Sequence, residues 1–209
     1  MIAIVDYDMG NLRSVSKALE HVGASVRVTS DPSEVASAEK LVLPGVGAFP
    51  AAMRELGARK LIEPIKRVIA EGRPYLGICL GLQLLFDDSE EGAGAKGLGV
   101  LAGQVRKFTT ASEPRLKIPH MGWNQVLGQR ATAAGAACPL LEGISDGSYF
   151  YFVHSYYAQP AARPVVALTT EYGVPFTAMV WKDWLFATQF HPEKSQAMGL
   201  RLLENFAKL

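Results

Sequence analysis

The sequence predicts an α/β fold built on an open, mostly parallel sheet with an antiparallel extension. In the first part of the chain, short apolar runs alternate with segments of helical periodicity, which is the pattern of right-handed βαβ units. In the second part, strand-like segments follow one another without long helices between them, and this indicates antiparallel pairing. The sequence shows no internal repeat and no long linker, so one domain over residues 1–209 is expected.

The alternation in the first part predicts strands and helices in turn. Ile2–Val5 is apolar throughout, as suits a strand buried on both faces of a parallel sheet. Further strands are expected at residues 25–29, 41–43 and 75–78. Helices are expected over residues 12–22, after Asp31-Pro32, within residues 49–72 and over residues 80–86.

The second part predicts strands at residues 105–108, 149–157, 165–169 and 177–190. A terminal helix follows, with Met198, Leu202 and Phe206 on one apolar stripe. Residues 131–137 are rich in alanine and glycine, and they are expected to form a loop.

Composition and charge exclude several classes of protein. The chain has 209 residues, of which 49% are hydrophobic, and this is enough for one continuous core. With 21 basic and 20 acidic side chains the net charge is +1, so no broad attraction to nucleic acid or to an anionic membrane is expected. No apolar stretch reaches the roughly 18 residues that span a bilayer, and the first residues lack the basic start of a signal peptide. A cytoplasmic protein is therefore expected.

Cys79 and Cys138 are the only cysteines in the sequence, and their spacing fits neither a disulfide framework nor a zinc site. Cys79 lies in Gly77-Ile78-Cys79-Leu80-Gly81, between a predicted strand and a predicted helix. This is the context of a nucleophile elbow, with Cys in place of the Ser of the G-x-S-x-G pattern. A helix N-terminus favours a thiolate, and the Leu80 N–H can face an oxyanion. The alternative is a buried structural cysteine.

A thiolate nucleophile needs a base that can protonate the leaving group, and the sequence contains 4 histidines. His21 is expected at an exposed helix position, and His120 lies in an irregular segment. His154, among strand-like aromatic residues, is better explained as a structural histidine. His191 follows an apolar strand, and Glu193 projects to the same side in extended backbone. His191 and Glu193 are therefore predicted to complete a catalytic triad with the elbow cysteine.

Pro44-Gly45-Val46-Gly47 also ends a predicted strand. In isolation, Pro-Gly marks a tight turn. Its place at the carboxyl end of a strand, where open α/β sheets bind ligands, favours a second role. The backbone N–H groups of this segment are expected to face a substrate oxygen.

Gly77-Ile78-Cys79-Leu80-Gly81-Leu82-Gln83, taken with His191-Pro192-Glu193, resembles the class I glutamine amidotransferase family. Three more segments are similar to one branch of that family, which supplies ammonia to a cyclase in histidine biosynthesis. They are Asp6-Tyr7-Asp8-Met9-Gly10-Asn11-Leu12, Pro44-Gly45-Val46-Gly47 and Ile118-Pro119-His120-Met121-Gly122-Trp123-Asn124. The family fold is a flavodoxin-like sheet with helices on both faces, in agreement with the alternation of strands and helices. Residues 131–137 have no recognisable counterpart in it.

The resemblance implies a glutaminase that needs no metal and no cofactor. Cys79 would attack the amide of glutamine to give a glutamyl thioester and ammonia. Water would then release glutamate, while His191 shuttles the protons. The backbone of Val46 and Leu80 would serve the oxyanion. The bound glutamine would lie along Gly47, Gln83, Ser155 and Tyr156.

The resemblance also implies a second protein, because no part of the chain is left to bind an ammonia acceptor. In the similar branch, this partner is a (β/α)₈-barrel cyclase. It incorporates the ammonia and forms imidazole glycerol phosphate and aminoimidazole carboxamide ribonucleotide. Docking is expected at Asn11, Pro119, Met121 and Trp123, since Met and Trp are enriched in interface cores. Internal packing of Trp123 is the alternative.

Such a glutaminase would waste glutamine if it worked alone. We therefore hypothesise that the Gly45-Val46 peptide is misoriented in the isolated chain and is turned by the partner and its ligand.

The sequence leaves two other functions open. A non-catalytic redox sensor could use Cys79, but it would not need His191 and Glu193. A glutaminase that serves another amination would keep the triad without the segments at residues 6–12 and 118–124.

Overall fold

The computed structural model describes residues 1–109, 116–128 and 137–209. The loop predicted at residues 131–137 lies outside these ranges, except for Ala137. The strands are β1 (Ile2–Val5), β2 (Val26–Thr29), β3 (Lys40–Gly45), β4 (Tyr75–Cys79), β5 (Asp88–Ser89), β6 (Ala95–Lys96), β7 (Gly103–Lys107), β8 (His120–Gln125), β9 (Tyr149–His154), β10 (Tyr156–Pro160), β11 (Val166–Tyr172), β12 (Val174–Lys182) and β13 (Leu185–Thr188). The α-helices are α1 (Leu12–His21), α2 (Pro32–Ser37), α3 (Phe49–Ala58), α4 (Ile62–Ala70), α5 (Leu80–Gln83) and α6 (Gln196–Lys208).

The main sheet is parallel over most of its width. Within the described ranges it is seven-stranded, and its parallel part has the order β2, β1, β3, β4, β13. This is the strand order of flavodoxin-like folds. Beyond β13, the sheet continues through β12 and β11 as antiparallel strands. The predicted α/β fold class with an antiparallel extension is confirmed.

Alternating side chains of the parallel strands enter two separate cores. In β1, Ile2 and Ile4 belong to the core on one face of the sheet, whereas Ala3 and Val5 belong to the core on the other. Alternation along a strand explains this division, because successive side chains point to opposite faces. The continuous apolar run in the sequence therefore reflects burial on both sides.

Helices cover both faces of the sheet. α1 and α6 pack into the first core, through residues such as Leu19 and Phe206. α2, α3 and α4 pack into the second core, through residues such as Val35, Leu56 and Ile65. The smaller β-structures complete the fold, since β8 pairs with β9 while β7 pairs with β10 and β5.

Some predicted boundaries are wrong. The helix predicted over residues 80–86 ends at Gln83, because the carbonyls of residues 84–86 accept N–H groups from residues 98–101 instead of continuing the helix. The strand predicted at residues 149–157 is interrupted at Ser155, since β9 pairs with β8 whereas β10 pairs with β7. The strand predicted at residues 177–190 is a hairpin that turns at Asp183, where φ is 54°.

His120 is the largest departure from the sequence interpretation. It begins strand β8 and does not lie in an irregular segment. The polar residues and Gly122 of this strand hide any apolar alternation, and its pairing with β9 is a long-range contact that local sequence does not report.

In the described ranges, no helix is long and apolar enough to cross a membrane.

Two helix glycines provide a matched test of how α6 packs. A Cβ at Gly199 would lie 1.9 Å from the Pro192 carbonyl oxygen, whereas a Cβ at Gly57 would have ordinary contact with Ile62 at 3.8 Å. Gly199→Ala is therefore expected to lower the free energy of unfolding by about 1–3 kcal/mol through overpacking. Gly57→Ala should raise it by up to about 1 kcal/mol, because alanine favours the helix. Urea denaturation measures both changes, and equal effects would contradict the packing of α6 on Pro192.

Candidate active site

Strand ends bring the predicted reactive residues together. β4 ends at Cys79, and the neighbouring β3 ends at its register partner Gly45. On the other side of β4, Thr188 at the end of β13 pairs with Ile78, and His191 follows shortly after. Because these strands are parallel, their carboxyl ends lie at one edge of the sheet. Ligand sites of open α/β sheets occur at this edge.

Cys79 occupies a strained turn between strand and helix. Its φ of 55° and ψ of −105° are a backbone conformation that residues other than glycine rarely adopt. The turn is so tightly packed that a Cβ at Gly81 would lie 1.9 Å from the Leu43 carbonyl oxygen. A Cβ at Gly77 would lie 2.6 Å from the Gly81 carbonyl oxygen. Both glycines of the predicted elbow are therefore required by close contact.

A buried network holds the imidazole of His191. Its Nδ1 lies 2.8 Å from Oε1 of Glu193, and the two side chains are 2% and 1% exposed. The backbone N–H of His191 donates to the Tyr151 carbonyl at 2.9 Å, and the backbone carbonyl of His191 accepts the Ser195 hydroxyl at 2.6 Å. Because an ionised carboxylate can only accept, Nδ1 carries a proton in either charge state of the ring. Nε2 is therefore the nitrogen that remains for the reaction.

The charge on the sulfur and the charge on the imidazole depend on each other. Burial alone would lower the pKa of His191, but the negative charge of Cys79 and the interactions with Glu193 outweigh it and raise the pKa to about 10. Nε2 of His191 is buried, and among the described residues no atom meets the geometry of a regular hydrogen bond to it. Cys79 acts on the ring through its charge and through a weaker hydrogen-bond interaction with the imidazole, so the imidazole keeps its proton while the sulfur is negative.

The Val46 N–H, a predicted oxyanion donor, is engaged elsewhere. It donates to the Met9 carbonyl at 3.1 Å. Gly45 beside it has no space for a side chain, since a Cβ there would lie 2.8 Å from Cβ of Leu80. Gly47 has φ 98°, which favours glycine. This arrangement is the one that the hypothesis of a misoriented Gly45-Val46 peptide requires.

A cavity of about 340 Å³ lies in front of Cys79. Its volume falls within the range of small-molecule sites. Every residue predicted for the oxyanion and for the substrate lines it, namely Val46, Gly47, Leu80, Gln83, Ser155 and Tyr156. Pro119, which was predicted for partner docking, lines it as well. The cavity therefore connects the nucleophile with the predicted docking segment.

The other predicted docking residues lie outside this cavity. Met121 and Trp123 are 62% and 46% exposed on β8, so Trp123 is not packed inside the protein. Its ring meets Tyr151 edge to face, with 6.2 Å between the ring centroids. Asn11 has a local role, because its Oδ1 caps α1 by accepting the Ser14 N–H at 3.4 Å.

The sequence interpretation missed three residues of the site. Glu91 and His154 line the cavity, and Oε2 of Glu91 accepts the Phe49 N–H at 2.9 Å. Gln189 donates from Nε2 to the Cys79 sulfur at 3.6 Å. A sequence signal existed only for Gln189, which stands two positions before His191 and so projects to the same side in extended backbone.

Replacing either charged neighbour is expected to lower the pKa of His191. Cys79→Ala removes the charge that acts on Nε2, and Glu193→Gln removes the charge at Nδ1. NMR titration of the His191 ring should give a pKa of about 10 in the unmodified chain and lower values in both variants.

The raised pKa of His191 also makes stability depend on pH. Protonated His191 contributes its full stabilisation below about pH 6.5, the pKa in the unfolded chain, and this contribution is lost as the pH rises through the pKa in the folded protein. Glu193→Gln should therefore lower stability more at pH 6 than above pH 10. An unmodified His191 that titrates near about pH 6.5 would contradict the coupling.

Known proteins share the sequence and the fold of this chain. A family model described as "Glutamine amidotransferase class-I" matches residues 3–209. The "Imidazole glycerol phosphate synthase subunit HisH" of Syntrophotalea carbinolica is 53% identical over 212 residues, which cover 100% of both chains. The subunit of the same name from Rhodopirellula baltica is 55% identical over 207 residues, which cover 99% of this chain and 97% of the relative.

A solved structure, PurLQS from Thermotoga maritima, has a similar fold. The TM-score is 0.71 at 19% identity, with 99% of this chain and 97% of that chain covered. An identity this low shows the fold alone. The family match and the HisH relatives both extend over almost the whole chain. The chain therefore belongs to the class I glutamine amidotransferase family, whose members are enzymes that hydrolyse glutamine.

Proposed function

We propose that this chain is the glutaminase subunit of imidazole glycerol phosphate synthase, with Cys79 as nucleophile and His191 and Glu193 as base and orienting acid. The observation that carries the proposal is the joint placement of these groups at the ends of β4 and β13. The family supports glutamine as substrate, and the names of the relatives support a synthase as the complete enzyme. We take residues 1–209 as one catalytic domain that works in the cytoplasm.

The reaction follows from the coupled charges of the sulfur and the imidazole. The Cys79 thiolate attacks the amide carbon of glutamine, and the electron pair of the carbonyl moves onto oxygen. When the C–N bond breaks, the leaving nitrogen takes a proton from Nε2 of His191 and departs as ammonia. The sulfur of the thioester carries no charge, so the contribution of Cys79 to the raised pKa of His191 disappears and the imidazole gives up its proton more readily. The neutral imidazole then removes a proton from water, and the attack of that water releases glutamate and restores the thiolate.

The cavity offers complementary groups for the rest of the substrate. Glu91 gives it a carboxylate, which suits the α-ammonium group of an amino acid. Gln83, Ser155 and Tyr156 line the same cavity and supply amide and backbone groups. We assign Gly47 to the same set because it lines the cavity next to Val46. A few polar groups of this kind fix the orientation of a ligand.

The hydrogen bond between Val46 and Met9 explains how hydrolysis can depend on a partner. Leu80 begins the helix after Cys79, so its N–H is one oxyanion donor. The second donor, the Val46 N–H, becomes available only when it leaves the Met9 carbonyl. Met9 is close in sequence to Asn11, a residue that we assign to the docking surface. Docking can therefore turn the Gly45-Val46 peptide and complete the oxyanion site.

The partner that fits is a (β/α)₈-barrel cyclase, docked on the edge of the protein that carries the cavity. We define the docking surface as Asn11, Pro119, Met121 and Trp123. Pro119 lines the cavity while Met121 and Trp123 are exposed, so this surface adjoins the place where ammonia forms. Exposed Met and Trp on a paired strand are typical anchors of a protein interface. A redox sensor would not need the buried pair of His191 and Glu193.

The direct test measures glutamate release from glutamine by the purified chain, alone and with a cyclase subunit and its ribonucleotide ligand. We expect little release by the chain alone and at least about tenfold more in the complex, since one missing oxyanion donor lowers kcat by about 10²–10³. Cys79→Ala should abolish release, with Cys138→Ala as the matched control that retains it. Release by Cys79→Ala at the unmodified rate would refute the nucleophile, and no stimulation by any cyclase would refute the pathway.

Trp123→Ala is expected to weaken binding of the cyclase by at least about tenfold, because a central aromatic anchor contributes more than about 1.4 kcal/mol. Trp184 is the matched control, since it is also 46% exposed. Its carbonyl accepts the N–H of Tyr75 at the start of β4, which places it at the opposite edge of the sheet. Titration calorimetry on both variants measures the affinities. Equal losses in the two variants would contradict the proposed docking surface.

Val46→Pro removes the N–H that we assign to the oxyanion site. In the complex, this variant should lower kcat by about 10²–10³ while the affinity for the cyclase stays within about twofold. Val46→Ala is its matched control, because it shortens an exposed side chain and keeps the N–H. Steady-state kinetics of glutamate release measures both. A Val46→Pro complex with unchanged kcat would remove Val46 from the mechanism.

A further inference from the structure

A chain of hydrogen bonds begins at the Cys79 sulfur and leads away from the catalytic triad. Nε2 of Gln189 lies 3.6 Å from the sulfur, and Oε1 of Gln189 lies 3.1 Å from Nε2 of Gln83. The same Gln83 nitrogen donates to the Tyr156 carbonyl at 2.9 Å. Gln83 and Gln189 are both buried, so these bonds face no competition from bulk water.

The Tyr156 carbonyl also begins a second row of hydrogen bonds, which ends on strand β8. It accepts Nδ1 of His154 at 2.8 Å, and Nε2 of His154 lies 3.0 Å from Nδ1 of His120. Nε2 of His120 lies 3.2 Å from Nδ2 of Asn124, which also donates to the Glu171 carbonyl at 2.9 Å. The two rows together connect the nucleophile with two residues of β8.

The carbonyl of Tyr156 fixes the direction of every bond in the first row. A carbonyl only accepts, so the amide nitrogen of Gln83 must face it. The second hydrogen on that nitrogen points to Gln189, which must present its oxygen. The nitrogen of Gln189 is therefore the end that faces Cys79, and it donates an N–H to the sulfur.

The same carbonyl fixes the tautomers in the second row. His154 donates from Nδ1, and burial lowers its pKa to about 3. Burial also lowers the pKa of His120 to about 4, so both rings are neutral near neutral pH. Neutral His154 offers Nε2 as an acceptor, to which His120 donates from Nδ1. Asn124 then donates one of its two N–H groups to Nε2 of His120 and the other to the Glu171 carbonyl, so each N–H has its own acceptor.

Strand β8 joins this chain to the proposed docking surface. Met121 and Trp123 are exposed on β8, while His120 is buried with its ring stacked on Tyr172 and Phe152 at centroid distances of 4.1 Å and 5.0 Å. Neighbouring residues of a strand point to opposite sides. A protein that presses on Met121 and Trp123 therefore acts on the backbone that carries His120.

We propose that Gln189 is a positioning residue for the Cys79 sulfur, and that the chain through Gln83, Tyr156, His154 and His120 makes this position depend on strand β8. This inference rests on the proposed function and assigns a route by which the docked partner acts on the nucleophile. It is separate from the release of the Val46 N–H, because neither Val46 nor Met9 takes part in this row of hydrogen bonds.

The test is a double-mutant cycle in the complex with the cyclase and its ligand. Gln189→Met keeps the size of the side chain but donates no hydrogen bond, so kcat should fall at least about tenfold while KM stays within about threefold. His120→Phe keeps the aromatic stacking and cuts the chain, and kcat should fall at least about fivefold. The kcat of the double variant should equal that of Gln189→Met within about twofold, because Gln189→Met already interrupts the row of hydrogen bonds and His120→Phe can then lower kcat no further.

Phe108→Leu is the matched control. Phe108 packs against the rings of His120 and His154, at centroid distances of 6.4 Å and 5.3 Å, but it makes none of the hydrogen bonds that connect Gln189 with β8. Its effect should multiply with that of Gln189→Met. Full activity in Gln189→Met, or losses from His120→Phe and Gln189→Met that multiply, would overturn the proposal. If the unmodified complex released no glutamate, the proposed function would fail instead.

A measurement on the unmodified protein covers the case in which His120→Phe does not fold. Nitrogen-15 NMR should show His120 and His154 neutral from about pH 6 to about pH 8, each with its proton on Nδ1. A proton on Nε2 of either ring, or a charge on either ring in this range, would overturn the chain.

Discussion

The architecture of the site depends on the contact between the turn at Cys79 and strand β3. The start of α5 lies so close to β3 that the position of Gly81 has no space for a Cβ beside the Leu43 carbonyl oxygen. A side chain there would push α5 away and move Leu80 and Gln83 with it. One steric constraint thus places the sulfur, the proposed oxyanion donor Leu80 and part of the cavity wall, and it holds Cys79 in its unfavourable backbone conformation.

The second constraint is electrostatic and concerns the buried charges around His191. Glu193 and His191 are buried as a pair, and a buried ionised carboxylate is tolerated only when it is paired and hydrogen-bonded. The sulfur is the third member, because its charge and the interactions with Glu193 together keep the proton on the imidazole. In the proposed reaction, formation of the thioester removes the charge of the sulfur, and His191 then changes from a proton donor into a proton acceptor. The same fixed geometry therefore serves both halves of the reaction.

Local patterns in the sequence were sufficient to predict the parallel sheet, the tight turn at Cys79 and the pairing of His191 with Glu193. The apolar run at residues 2–5, the glycines around Cys79 and the spacing of His191 and Glu193 each have a local cause, and the structure places them as expected. Long-range pairings could not be predicted. Strand β8, the end of α5 at Gln83 and the acceptor of the Val46 N–H are all set by distant segments. Gln189 was missed although it stands two positions before His191, because that spacing does not reveal its long-range contact with Cys79.

Two routes connect the proposed docking surface with the active site, one through Met9 and Val46 and one through β8 and Gln189. In the proposed function, both make the reactivity of Cys79 depend on the partner. The most direct measurement is the rate at which a glutamine analogue with an electrophilic diazoketone in place of its amide labels the protein, with the labelled residue identified by mass spectrometry. We predict labelling at Cys79 that is at least about tenfold faster with the cyclase and its ligand than without them. Labelling at Cys138, or at Cys79 with equal rates in both conditions, would contradict this account.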